Sequence, residues 1–464
     1  MAQSEYQKVQ LERNLKRFMI FRLFYSARFY YPVLTILFLD YGLSLEQFGI
    51  LNLVWALTIV LAEVPSGALA DIVGRKRLLI FAAILMVIEM SLLVLVPIGS
   101  SAVLFYVFLA NRICSGLSEA AASGADEALA YDSLKALGRE NEWGHLLEIT
   151  TRVVSIGFFT TMIVGAFAYD SAVVNGVIAT LDGQWHVPDE IVIRLPIVLT
   201  LLTSLIVLGT TLRFYDIDEN VQEQEPAQSG SAVRESFVQI IKAGKWTLGH
   251  QFILFVILTA LALDSVARQF VVLASEYYRA IDIPISWYGF IGAGMALLGI
   301  LNARLARQMA THLSPFYNFI ILSAVLLLSL WGVSRAIPYW GVVFAVGVFL
   351  IIGMVQFLAS YYINAAVSSK IRATVLSFKG LALNLGLGVA SLLYTALVGS
   401  LRSGQDAQLE EDALQHYVFV EAFKGFPLYY LGLFSVIILL GYSLYSNRDS
   451  FFKKPADNTR LVKD

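Results

Sequence analysis

Apolar positions along this chain gather into long runs separated by short polar breaks. A membrane-spanning helix needs about 20 mostly apolar residues. Runs that meet this test fall at 18–39, 47–70, 77–97, 101–130, 143–169 and 193–213. They resume at 248–275, 285–309, 315–335, 339–366, 372–400 and 421–447. The pattern predicts an all-α membrane protein with twelve transmembrane helices in two sets of six. The polar stretch DIDENVQEQEPAQSGSAVRES between the sets reads as a linker. The expected organisation is a six-helix half over 1–213, a linker over 214–247, a second six-helix half over 248–447 and a polar tail over 448–464. Within the linker, Val233, Phe237, Ile240 and Ile241 recur at i, i+4, i+7 and i+8, flanked by Arg234, Lys242 and Lys245. That spacing predicts an amphipathic helix lying on the inner membrane surface.

Composition agrees with the pattern. Of 464 residues, 58% are hydrophobic and 15% charged, whereas a soluble domain carries about 25% charge. So little polar surface cannot cover a water-exposed core, and most apolar side chains must face lipid or one another. The net charge of −2 gives no reason to expect a nucleic-acid partner. One cysteine, Cys114, permits no disulfide within the chain, and no metal-ligand spacing is visible. The first 17 residues are polar and lack a signal-peptide core, so the first span is expected to act as its own insertion signal.

Charge placement orients the chain. With the N-terminus in the cytoplasm, the N-terminal arm, the even-numbered loops and the tail hold 22 of the 33 Lys and Arg. The odd-numbered loops hold five: Arg194, Arg279, Arg335, Arg402 and Lys424. This excess predicts that both termini are cytoplasmic. The absence of an N-x-S/T sequon favours a prokaryotic source, and so a bacterial inner membrane.

Span two ends in Gly67-Ala-Leu-Ala-Asp71-Ile-Val-Gly74-Arg75-Lys76-Arg77. This resembles the G-x-L-A-D-x-x-G-R-K/R signature of the major facilitator superfamily, at its expected place between spans two and three. Gly67 is expected to allow close helix packing, Gly74 a tight turn, Asp71 hydrogen bonds from backbone amides, and Arg75 contact with an acidic partner. The matching loop of the second set, Gly299-Ile-Leu301-Asn-Ala303-Arg-Leu-Ala306-Arg307, keeps Gly, Leu and the last Arg, as an internal repeat would. Span four adds Arg112-Ile-Cys-Ser-Gly116, similar to the R-x-x-x-G feature of that span. Span five, SIGFFTTMIVGAFAYD, lacks the G-P-x-x-G-G element of many drug/proton antiporters. The resemblance implies two six-helix bundles, a small-molecule substrate, operation as a monomer in the lipid bilayer, and a cavity lined by spans one, four, seven and ten.

Charges inside a membrane cost roughly 2.5–3.5 kcal/mol each on insertion scales, so each asks for a partner or a function. Cavity candidates are Arg28, Tyr25 and Tyr31 on span one, Arg112 on span four, Asp264 and Arg268 on span seven, and Gln356 and Tyr361 on span ten. Arg112, Glu119 and Asp126 are spaced by seven and so fall near one helix face. Arg112 with Glu119 reads as an ion pair that binds an anionic group or titrates. Asp264 and Arg268, four apart, pair easily along one helix. Glu119, Glu63 and Asp264 are the proton-coupling candidates; Glu63 is expected near Arg22 or Arg152. Gly67, Asp71, Gly74, Arg75, Asp126 and Glu127 form the expected gating motif, with Asp126 and Glu127 facing Arg75 and Asp132 in the same clasp. Glu89, on a span peripheral in the superfamily, receives no role. Lys379 is expected to snorkel to the inner interface.

These features point to a secondary active transporter of a small polar or anionic organic solute, proton-coupled and exporting, working by alternating access. No phosphate-binding loop is present, so an ion gradient and not a nucleotide cofactor supplies the energy. Import of an organic anion or siderophore-like compound, and a non-transporting sensor or scaffold on the same fold, are the alternatives. No Ser-His-Asp set or metal-spaced His cluster supports an enzyme.

Overall fold

The computed structural model describes residues 2–99, 102–181, 185–215, 229–404 and 410–444. Its described residues form helices and connecting turns, without a strand. In hydrocarbon a helix satisfies its own backbone polar groups, which is why apolar runs of this length adopt it.

The first set comprises α1 (Ala2–Ser26), α2 (Leu34–Asp40), α3 (Leu45–Val73), α4 (Arg75–Leu95), α5 (Ala102–Ala122) and α6 (Ala125–Ala136). It continues with α7 (Trp143–Tyr169), α8 (Ser171–Leu181), α9 (Asp189–Val192) and α10 (Leu195–Leu212). After the linker come α11 (Ser229–Gly249), α12 (Gln251–Ala280), α13 (Ile285–His312) and α14 (Pro315–Val333). The chain closes with α15 (Gly341–Ala366), α16 (Ser369–Ser403), α17 (Glu411–Lys424) and α18 (Phe426–Leu444). Among the described residues, nine helical stretches are long and apolar enough to cross a membrane. The expected spans at 18–39, 101–130 and 421–447 are not among them. The first two have physical causes: a broken helix, and a helix whose polar and charged residues end at a turn.

The first span is not one continuous helix, contrary to the reading of 18–39. α1 stops at Ser26, and a 3-10 turn over Tyr31–Val33 leads into α2. Pro32 explains the break. It has no N–H to offer the carbonyl of Arg28, and its ring collides with that carbonyl in a regular helix. The backbone groups released there find partners on α10. Phe29 N donates to Thr200 Oγ1 at 3.0 Å, and Thr203 Oγ1 donates to Ala27 O at 3.3 Å. Gly165 of α7 lies against the same break; a Cβ there would stand 1.8 Å from Phe29 O.

A second interruption falls at Ser123–Gly124, where Gly124 adopts φ 75° ahead of α6. Arg112 and Glu119 therefore lie on α5 and Asp126 on α6. The expectation that spacing by seven puts all three on one helix face fails at this turn.

The chain forms two compact units. One comprises 1–43, 58–237 and 285–293; the other comprises 44–57, 238–284 and 294–464. In the first, α4 and α5 approach through small residues: Ala82, Ala83, Ala121 and Ala122 share a core with Phe21, Leu79, Met86 and Val207. In the second, aromatic residues tie α12 to α17. Phe270 and Tyr277 each lie within 6 Å, ring to ring, of Phe423. The second part of the linker is helical in α11, with Phe237 and Ile241 exposed. Residues 216–228 of the linker and the tail from 445 lie outside the described residues.

Gly165→Leu should destabilise the chain by about 1–3 kcal/mol through overpacking against the break. Gly176→Ala, which meets nothing within 4 Å, should leave stability unchanged apart from a small helix-propensity gain. Thermal unfolding in detergent compares them.

Candidate functional site

The break in the first span places Arg28 in the interior of the first unit. Its guanidinium forms an ion pair with Glu89 of α4, and the two side chains are 3% and 0% exposed. Its charge also lies 5.4 Å over the Tyr25 ring. Asn111 Nδ2 donates to the backbone carbonyl of Glu89 at 2.8 Å. Glu89 is thus the central acid of the network, though its helix position had suggested no role. The signal that pointed to it was the cost of any carboxylate in an apolar run.

Arg112 joins this cluster from α5. It is 6% exposed, and its guanidinium lies 4.4 Å over the Phe38 ring. Its Nε and Nη2 have no hydrogen-bond partner. The expected pair with Glu119 is absent. Seven residues along a helix are about 10 Å of rise, and Arg112 is held at the Phe38 end. Glu119 instead opens onto a cavity of about 360 Å³ lined by Arg22, Tyr25, Ser123, Asp126 and Glu127. Among the described residues it has no ion pair. Tyr25 shares that cavity and hydrogen-bonds Ser118 at 3.0 Å, while Tyr31 is exposed and packs edge-on against Tyr30.

The inner-end clasp is divided differently from the expected one. Arg22 Nη1 binds Asp126 at 3.0 Å and Nη2 reaches Glu127 at 3.4 Å. Arg75 pairs with Asp132 and donates to Ala128 O at 3.1 Å. Asp126 and Glu127 thus face Arg22 and not Arg75, because the turn at Gly124 re-aims the start of α6. Gly74 supplies the tight turn with φ 96°. A Cβ added at Gly67 would meet none of the described residues within 4 Å. The Asp71 side chain lies outside the described residues. Glu63 has neither expected partner: Arg22 is taken by α6, and Arg152 pairs with Glu148 one turn away.

The second unit holds its own network. Arg268 Nε donates to Asp264 at 2.6 Å along α12, as the spacing of four predicted. Its other nitrogens reach Asn384 Oδ1 at 3.0 Å and Leu383 O at 2.6 Å on α16. Gln356 Nε2 of α15 donates to the second Asp264 oxygen at 3.0 Å. Lys379 of α16 is buried and donates to Gln356 Oε1 at 3.3 Å and Ser360 Oγ at 2.9 Å. It does not snorkel, because polar partners lie within reach of its ammonium inside the unit. Tyr361 stays out of the network and packs beside Phe357 and Tyr362.

Breaking the Arg28–Glu89 pair by Glu89→Gln strands a buried guanidinium and should cost about 3–5 kcal/mol. Replacing both residues, Arg28→Met with Glu89→Leu, should recover most of that loss. Unfolding midpoints of the two variants measure the difference.

Solved structures share the fold at low identity. The nucleoside transporter NupG superposes with a TM-score of 0.66 at 14% identity, covering 94% of this chain and 98% of its own. A bacterial homologue of the human lysosomal transporter Spinster gives 0.63 at 14%, covering 97% and 98%. A D-xylose–proton symporter gives 0.58 at 13%, covering 91% and 96%. No curated protein matches the chain. The sequence does match the Major Facilitator Superfamily model over residues 18–397, which takes in the signature loop and both charged networks, and the chain belongs to that family of membrane transporters.

Proposed function

We propose that this protein is a proton-coupled secondary transporter that moves a small anionic organic solute, with export as its working direction. The observation that carries the reading is the charge balance of the buried networks. Arg28 and Arg112 stand against Glu89 in one unit, and Arg268 and Lys379 against Asp264 in the other. Each holds two cations for one carboxylate. Each trio carries one net positive charge in surroundings where charge is expensive, and in the first unit that excess stands whenever Glu119, which interacts with Arg28, is protonated. A solute carrying negative charge offsets that excess, and a cation adds to it.

Glu119 is the residue to which we assign the proton. It is a carboxylate without an ion pair among the described residues, and it opens onto a cavity that also presents Arg22 and Tyr25. A group in that setting can take up and release a proton without first breaking a structural pair. Asp264 is the counterpart in the second unit, but it is held by Arg268 and Gln356. Its titration would release Arg268, so it suits a switch better than a freely exchanging proton site.

In proteoliposomes with an imposed pH gradient, anionic solutes should accumulate or be expelled and cationic ones should not. Glu119→Gln should abolish the effect of the gradient while leaving solute exchange without a gradient. Transport confined to cations, or a Glu119→Gln variant that responds to the gradient like the parent, would overturn the reading.

A further inference from the structure

Between α12, α16 and α18 of the second unit lies a cavity of about 260 Å³, apart from the charged network of that unit. Val266, Ala390, Leu397, Phe426 and Leu433 are among its lining residues, and its surface is almost wholly apolar. The polar side chains of α12 in the wall are engaged within it. Ser265 Oγ donates to Leu261 O, and Gln269 Oε1 accepts from Ser391 Oγ at 2.7 Å. Tyr394 and Phe426 add an aromatic wall, edge to face with ring centres 6.0 Å apart. Water needs polar partners and does not settle in such a space, and apolar walls without a neighbour lose dispersion contacts. An apolar cavity of about 150 Å³ takes benzene, so this one has room for a larger apolar body.

The cavity is a slot and not a closed pocket. Leu385, Val389 and Leu393 recur every fourth residue along α16, line the slot and are exposed, as is Tyr429 near the start of α18. Exposed apolar side chains on a spanning helix face hydrocarbon, so the slot is continuous with the lipid-facing surface of the unit. At its inner side α12 and α16 close together at Gly386, where an added Cβ would stand 2.5 Å from Ser265 Oγ. Residues 385–397 of the lining rise about 18 Å, close to half of the roughly 30 Å hydrocarbon thickness. Tyrosine collects where hydrocarbon meets the headgroups, and Tyr429 lies one turn past the α17–α18 junction at Gly425. The slot therefore runs from one membrane interface toward the midplane, as a lipid tail does.

We propose that this slot seats one acyl chain of a bilayer lipid, taken from the leaflet that borders the α16–α17 loop. The apolar lining grips the tail and leaves the headgroup outside. The seat goes beyond the transport reading and does not depend on which solute is carried.

The test is photolabelling of the full-length chain in phosphatidylcholine vesicles doped with a lipid that carries a diazirine midway along one acyl chain. Adducts are mapped by peptide mass spectrometry. Those on 385–397 and 426–433 should exceed severalfold those on Ile321, Val325 and Leu328, which are exposed on α14 and line no part of the slot. Ala390→Phe fills the slot and should bring its labelling down to the α14 level. Should that variant fail to fold, Leu393→Trp, at an exposed position, should do the same. Leu392→Trp, exposed on the same helix but outside the lining, should change nothing. Placing the diazirine chain on phosphatidylethanolamine or phosphatidylglycerol should leave the labelling as it was. Slot labelling no greater than on α14, labelling that survives both filling variants, or labelling that follows the headgroup overturns the seat. So does a small aromatic diazirine that labels the slot where the lipid probe does not, which would mark a site for free apolar solutes.

Discussion

The ion pair between Arg28 and Glu89 governs the first unit, because neither charge can exist in that interior without the other. Two things must coincide for it to form. The helix of the first span has to open near its middle, and α4 has to deliver a carboxylate at that depth. Pro32 opens the helix by denying the carbonyl of Arg28 its i+4 donor, and Tyr31 N takes that place at 3.2 Å. Thr200 and Thr203 of α10 then cap the exposed backbone, and Gly165 of α7 lets another backbone come within contact distance. Irregular backbone at membrane depth persists where protein groups satisfy it in this way. The neighbouring helices are therefore shaped around the break as much as around the charge.

The two networks share a composition without sharing residues. Each sets two cations on one carboxylate and buries them under polar neighbours: Asn111 in the first unit, Gln356, Ser360 and Asn384 in the second. They differ in how completely the cations are used. Arg268 has a partner on each of its nitrogens, and Lys379 has two. Arg112 Nε and Nη2 are buried without a hydrogen-bond partner. The second unit's cations are thus fully bonded, and those of the first are not.

Several expectations from spacing failed for reasons that lie in chain geometry. The seven-residue series Arg112, Glu119, Asp126 presumed a continuous helix, and a positive-φ glycine at 124 divides it. The snorkelling of Lys379 presumed an apolar neighbourhood, and Ser360 and Gln356 supply a polar one. The packing role of Gly67 presumed a close neighbour, and none of the described residues supplies one. In contrast, the i, i+4 pair Asp264–Arg268 formed as the spacing required, because both residues lie on a single unbroken helix. The series spaced by seven lapsed at the turn, and the pair spaced by four held on a helix that runs on.

By itself the sequence determined the class of the molecule. Apolar runs of spanning length and the loop signature established an all-helical membrane protein of the transporter family, since hydrocarbon tolerates few other backbone arrangements. It also marked the charges that had to matter, because each one inside an apolar run is costly. The choice of partner belonged to the tertiary structure. Whether Arg112 met Glu119, and whether Arg75 met Asp126 or Asp132, depended on where helices broke and which faces they turned to one another. Those are properties of packing between distant segments, and no local pattern in the chain encodes them.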